Sequence, residues 1–110
     1  MKLPRDAVIA EAKLTRYLLV RRSRNDKSTW LAKAGYLLAN WEILEQNLRA
    51  QILTKEATRI HSNQFGRYYR IDACLNSPNG SSLRVRSIWM IEHLSGQAKF
   101  VTLYPDQTHE

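Results

Sequence analysis

The chain has 110 residues, 44% hydrophobic and 25% charged, the balance of a soluble globular protein with enough length for one core but not two. Seventeen Lys plus Arg against ten Asp plus Glu leave a net charge of +7, which favours polyanionic partners, nucleic acid before an anionic membrane. Cys74 is alone, which excludes an intrachain disulfide, and with no apolar run near the ~18 residues of a membrane span and no signal-like start the expected location is cytoplasmic.

The first half reads as helices. Leu14, Tyr17 and Leu18 recur at helical spacing and predict a short helix over about Glu11 to Val20. The polar basic loop Arg21-Arg22-Ser23-Arg24-Asn25-Asp26 breaks it. Asp26 is a candidate cap for a second helix through Trp30, Leu31 and Ala34, and Gly35 is a fitting stop. Asn40 is the candidate cap of a third, whose Trp41, Leu44, Leu48 and Ile52 form one apolar stripe. Trp30 and Trp41 read as core anchors.

The second half changes period to two. A strand over Ala57 to Ser62 and a turn at Asn63 to Gly66 precede an alternation of Tyr69, Ile71, Ala73 and Leu75 against Tyr68, Arg70, Asp72 and Cys74. Pro78-Asn79-Gly80 turns the chain, because Asn-Gly accepts positive φ and Pro presets the entry. The third strand spans Ser82 to Glu92, a turn follows at Ser95-Gly96-Gln97, and the last strand spans Ala98 to Tyr104 before Pro105. Short connections imply an antiparallel meander. The expected fold class is therefore α+β, one domain over residues 1–110, with N-terminal helices packed on a four-stranded antiparallel sheet. The tail Asp106 to Glu110 is expected to fray.

On the third strand Arg84 and Arg86 share a face opposite Ser87 and Trp89; on the last, strict alternation points Phe100, Thr102 and Tyr104 together. Solvated strand residues are the plain explanation of these groups. The chemical one is metal-independent RNA cleavage, which needs a base for the 2′-hydroxyl, donors on the phosphate and an acid for the leaving oxygen. Arg, Lys, Thr and Tyr supply donors. Of His61, His93 and His109, His61 is the best candidate base. Arg21, Arg22, Arg24 and Lys27 put four cations in seven residues, a repulsion that an anionic ligand would relieve. Tyr68 and Tyr69 beside Arg67 and Arg70 suit base stacking, though only one of the pair can leave the core. Scattered histidines and turn-bound glycines give no metal or nucleotide-loop signature, so no cofactor is expected.

The order of motifs resembles a bacterial domain family. Tyr17-Leu18-Leu19, Lys27-Ser28-Thr29-Trp30, Ala34-Gly35-Tyr36, Trp41-Glu42, Tyr69, Ser77-Pro78-Asn79-Gly80, Val85-Arg86-Ser87-Ile88-Trp89 and Val101-Thr102-Leu103-Tyr104-Pro105 carry the likeness through nearly the whole chain. The family occurs as small stand-alone proteins and as C-terminal modules of polymorphic toxins. It is similar to the superfamily uniting barnase, EndoU, colicin D and RelE. That resemblance implies a metal-independent endoribonuclease, often acting on tRNA, with an antitoxin or immunity protein as partner. Its implied catalytic residues are Lys27, Arg86, Thr102 and Tyr104; read from the residues themselves, Arg21, Arg22, Arg24, Tyr69 and Arg84 are the candidate RNA contacts. Thr102-x-Tyr104 resembles the Ser-x-Trp pattern of colicin D-like nucleases. Two positions depart from the pattern: the Arg21 to Asn25 loop stands where relatives often have His-Pro-x-Gly, and Ser81 stands where they tend to have Arg. The alternative expectation is a non-catalytic module that binds RNA or a protein through the same basic face. A monomer or small homo-oligomer is expected, with no membrane partner.

Overall fold

A computed structural model describes residues 1–106; His109 and all of the expected frayed tail except Asp106 lie outside the described residues. Helix α1 opens at Glu11–Lys13 and continues as a π-helical turn, Leu14–Leu18, closed by the Leu19 amide on the Leu14 carbonyl at 3.0 Å. It buries Leu14 and Leu18, while Tyr17 stays 36% exposed. Four-residue spacing puts the two leucines on one face and leaves Tyr17 at its edge.

Helix α2 (Ser28–Lys33) starts where the Asp26 carboxylate accepts hydrogen bonds from the Ser28 amide at 3.3 Å, the Ser28 hydroxyl at 2.7 Å and the Thr29 hydroxyl at 3.1 Å. Lys27 holds the N-cap position, and Asp26, one residue earlier than a cap stands, still engages the first helical amide. The helix ends with Gly35 donating to the Ala32 carbonyl at 2.9 Å and Tyr36 to that of Leu31 at 3.0 Å, with Gly35 at φ +98°. That paired closure favours glycine at the left-handed position. The Pro78-Asn79-Gly80 turn packs on the same helix end. Asn79 donates through its side chain to the Lys33 carbonyl at 2.6 Å and through its amide to that of Ala34 at 3.2 Å. The hairpin turn is therefore also a helix cap.

Asn40 departs from expectation. Instead of capping α3 (Trp41–Asn47), its side chain accepts from the Leu37 amide at 2.7 Å and donates to the Gly35 carbonyl at 3.1 Å. It ties together the 3-10 turn Leu38–Asn40 that leads into the helix. Helix α3 runs on as a π-helical turn, Leu48–Ile52, and its stripe of Leu44, Leu48 and Ile52 is fully buried. Trp30 and Trp41 are partly buried against the core, whereas Trp89 is wholly inside it.

The strands are β1 (Thr58–Ser62), β2 (Gly66–Asn76), β3 (Ser82–Glu92) and β4 (Ala98–Pro105), antiparallel in sequence order. The helices precede this sheet, as expected for the α+β class. The core contains Ile71 and Leu75 of β2, Val85, Trp89 and Ile91 of β3, and Phe100 and Leu103 of β4. Ser87 is buried among them without cost in unpaired groups: its hydroxyl donates to the Ile71 carbonyl at 2.9 Å and accepts from the Trp89 indole at 2.8 Å.

Two features of β4 were not legible as strand alternation. Val8 lies parallel to its outer edge, donating to the Ala98 carbonyl and accepting from the Phe100 amide, both at 2.8 Å. Beyond that bridge the ladder slips: Trp89 faces Phe100 and Ile88 faces Thr102, so Val101 is an extra, bulged residue. A bulge reverses the facing of everything after it. Phe100 therefore points into the core while Thr102 and Tyr104 point out of it, which corrects the expectation that the three share a face.

Candidate functional site

The bulge aims Thr102 and Tyr104 toward the loop between α1 and α2. A groove of about 600 Å³ opens there, lined by Lys13 and Tyr17 of α1, Asn25, Asp26 and Lys27 of the loop, and Val101, Thr102, Tyr104 and Pro105 of β4. Lys27 reaches across it. Its Nζ donates to Thr102 Oγ1 at 3.0 Å and stands 5.6 Å from the centre of the Tyr104 ring. Two segments 75 residues apart thus meet in one hydrogen bond.

Burial pushes the Lys27 ammonium below its usual value of 10.5, and the nearby Arg22 charge pushes it the same way. Desolvation and like charge both disfavour the cation. Asp26 is held at the opposite extreme, lowered from 3.8 to about 2, chiefly by the Ser28 hydroxyl, with the Arg22 amide, Thr29 and the Ser28 amide adding to it. An ionised Asp26 with its oxygens already engaged is a poor proton acceptor. Thr102 accepts from Lys27, and its own hydrogen has only a long 3.5 Å contact to the Leu103 carbonyl. That hydroxyl can turn to donate to an anion beside the lysine.

The other expected residues are placed less directly. Arg86 sits opposite Tyr104 in the β3–β4 register, one strand in from the groove. Its guanidinium is committed to Asp72, with Nε at 3.0 Å from one oxygen, and to Asp106 at 3.6 Å. Arg86 thus flanks Tyr104, ion-paired and outside the groove lining. Arg84 lies on the same face, opposite Cys74 and outside the groove lining. Arg22 stacks on Tyr17, its guanidinium carbon 4.2 Å from the ring centre. Arg21 and Arg24 are exposed in the loop without lining the groove.

Tyr69 is a correction. It is only 5% exposed and belongs to the core, so it offers no face to RNA; Tyr68, opposite Met90 on the outer face, is the half-buried member of the pair. His61 stacks on Tyr68, with ring centres 4.5 Å apart. It lies on β1, three strand spacings (roughly 14 Å) from β4, which removes the best candidate base from the groove. His93 contacts the Asn63 carbonyl at 2.9 Å. Neither lines the groove. Among the described residues no group of three His, Cys, Asp or Glu side chains could hold a metal, and no helix is long and apolar enough to cross a membrane.

Sequence reasoning missed Tyr17 and Lys13. Both fall on the helix that strand-based arguments ignored, and the Tyr17-Leu18-Leu19 motif was the available signal.

Residues 2–107 match the model of a family described as a domain of unknown function, DUF6883. The chain belongs to that family. No curated protein matches the DUF6883 chain. Among solved structures it is similar to a chain of a contact-dependent growth inhibition toxin–immunity protein complex from Klebsiella pneumoniae 342. The TM-score is 0.65 at 15% identity, covering 94% of this chain and 96% of that one. At that identity the likeness shows a common fold.

Proposed function

We propose that this DUF6883 domain is a metal-independent endoribonuclease, the toxin of a toxin–immunity or toxin–antitoxin pair acting on tRNA or other RNA. The observation that carries the reading is the Lys27–Thr102 hydrogen bond of 3.0 Å inside a 600 Å³ groove. A half-buried cation beside a hydroxyl whose hydrogen has only a long contact is an arrangement that can hold an anion. Similarity to a chain of a toxin–immunity complex supports an offensive or protective role and a protein partner for this domain too.

In the proposed reaction the substrate's 2′-oxygen attacks the adjacent phosphorus, and the bond from phosphorus to the 5′-oxygen breaks. The products are a 2′,3′-cyclic phosphate and a 5′-hydroxyl; the 2′-hydroxyl gives up its proton and the 5′-oxygen gains one. Lys27 and Thr102 stabilise charge building on the non-bridging oxygens. In this reading Tyr104, which lies beside Lys27 and pairs with Arg86 across the strands, protonates the leaving oxygen or orients it. With no described histidine at the groove, the rate rests on positioning and charge.

The position of His61, at the sheet edge far from the groove, is the specific observation favouring a second reading, a module that binds RNA or a protein partner without cutting. The experiment is incubation of the purified protein with total tRNA and rRNA in EDTA, beside Lys27→Ala and Thr102→Ala. Discrete fragments from the wild type that fall by 10²-fold or more in both variants, about the loss of a charge-stabilising donor, are expected. Intact RNA that shifts on a gel would favour the binding module.

A further inference from the structure

The groove has a second chemical half that phosphate binding leaves unused. Tyr17, on the π-helical turn of α1, is about one-third exposed and lines the same groove as Lys27 and Thr102. Arg22 lies over its ring at 4.2 Å and is close enough to Lys27 to depress the lysine's charge. A planar guanidinium on a phenol ring is a surface on which a nucleobase stacks, on either plane. Asn25 lines the same wall with φ 54°, and its side chain makes no hydrogen bond among the described residues. An amide offers a donor pair and an acceptor to a base edge. The groove's volume, about 600 Å³, falls within the ~300–1,000 Å³ of small-molecule sites.

We propose that the groove takes one nucleotide as a unit, its phosphate on Lys27 and Thr102 and its base on the Tyr17–Arg22 platform. The proposal rests on the RNA reading above and gives the site its substrate class: single-stranded RNA with a base unstacked beside the scissile phosphate. Paired RNA is excluded by the same geometry, because a base in a duplex has no free face to offer.

The test titrates wild type, Tyr17→Phe and Tyr17→Leu with nucleoside 3′-monophosphates and with inorganic phosphate, following affinity by NMR. Tyr17 is exposed enough for both variants to fold, which their melting temperatures check. In the wild type the nucleotides should bind more tightly than phosphate by about 5- to 100-fold, the range of one base–aromatic stack. Tyr17→Phe should keep that difference. Tyr17→Leu should erase that difference, which is the readout whatever happens to phosphate affinity itself. Nucleotide and phosphate binding alike in the wild type, or a difference that survives in Tyr17→Leu, would overturn the proposal. RNA cleavage separates the two claims. Tyr17→Leu that cuts single strands as fast as wild type would sink the platform and leave the nuclease standing. Wild type that prefers nucleotides through Tyr17 yet leaves all RNA intact would sink the nuclease and leave the nucleotide site.

Discussion

Lys27 concentrates the chemistry of this protein into one side chain. It loses hydration to burial, is repelled by Arg22, and donates a hydrogen bond to Thr102. Those conditions make its proton responsive to a ligand. An anion in the groove favours the protonated form, so affinity for RNA should be level at low pH and fall as pH climbs through the lowered lysine value, earlier than an ordinary lysine with a value near 10.5 would allow. The check is binding of a 2′-O-methyl oligoribonucleotide, which lacks the attacking hydroxyl, across pH 7 to roughly 10.5. Lys27→Arg should flatten the upper limb, because guanidinium stays charged there. An unchanged decline in that variant would assign the titration to another group. Lys27 could be singled out from the sequence as part of a basic run. Thr102 was singled out by the family likeness, but its bond to Lys27 was not legible, because nothing local in Val101-Thr102-Leu103-Tyr104 marks which side chain the lysine meets.

At the level of elements, the site depends on two joints. One is the bulge at Val101, which points Thr102 outward while the neighbouring Phe100 stays in the core. The other is the contact between the end of α2 and the Pro78-Asn79-Gly80 turn, which fixes the helix that begins right after Lys27. A Cβ at Gly35 would approach Pro78 Cβ to 3.1 Å and the Asn79 nitrogen to 3.2 Å, at a φ of +98°. Gly35→Ala should therefore cost about 1–3 kcal/mol, and Asn79→Ala about 1–2 kcal/mol through the lost side-chain cap bond to the Lys33 carbonyl and the lost turn bonds from Ser81. Urea titration should show lower midpoints with unchanged slopes. Both variants should keep RNA binding while folded, since neither residue lines the groove. A binding loss at unchanged stability would mean that the turn itself touches the ligand. The turn was legible from Pro-Asn-Gly, and its second duty as a helix cap was not, since that needs the helix to arrive beside it.

Across the whole molecule, the net charge of +7 is shared between paired and unneutralised regions. Arg70 and Arg86 meet Asp72, and Lys99 meets Glu92 at 2.9 Å, so the centre of the outer sheet face is partly balanced. The loop between α1 and α2 keeps Arg21, Arg22, Arg24 and Lys27 beside one carboxylate, Asp26. RNA binding there should weaken with salt, with a log–log slope of about −2 to −3.5 for three to five single-strand phosphates. A slope near zero would count against RNA. Composition, period and turn residues by themselves determined the α+β class, the strand order and most of the buried stripe, because burial periodicity and turn chemistry are local properties of a chain. They also carried the family likeness that pointed to Lys27, Thr102 and Tyr104. Only the tertiary structure decided that Tyr69 is core, that Arg86 is held by Asp72 and Asp106, that His61 stands at the far edge, and that Tyr17 joins the groove. Each of those depends on a bulge, a register or an ion pair between distant segments, and a one-residue slip of register exchanges the two faces of a strand.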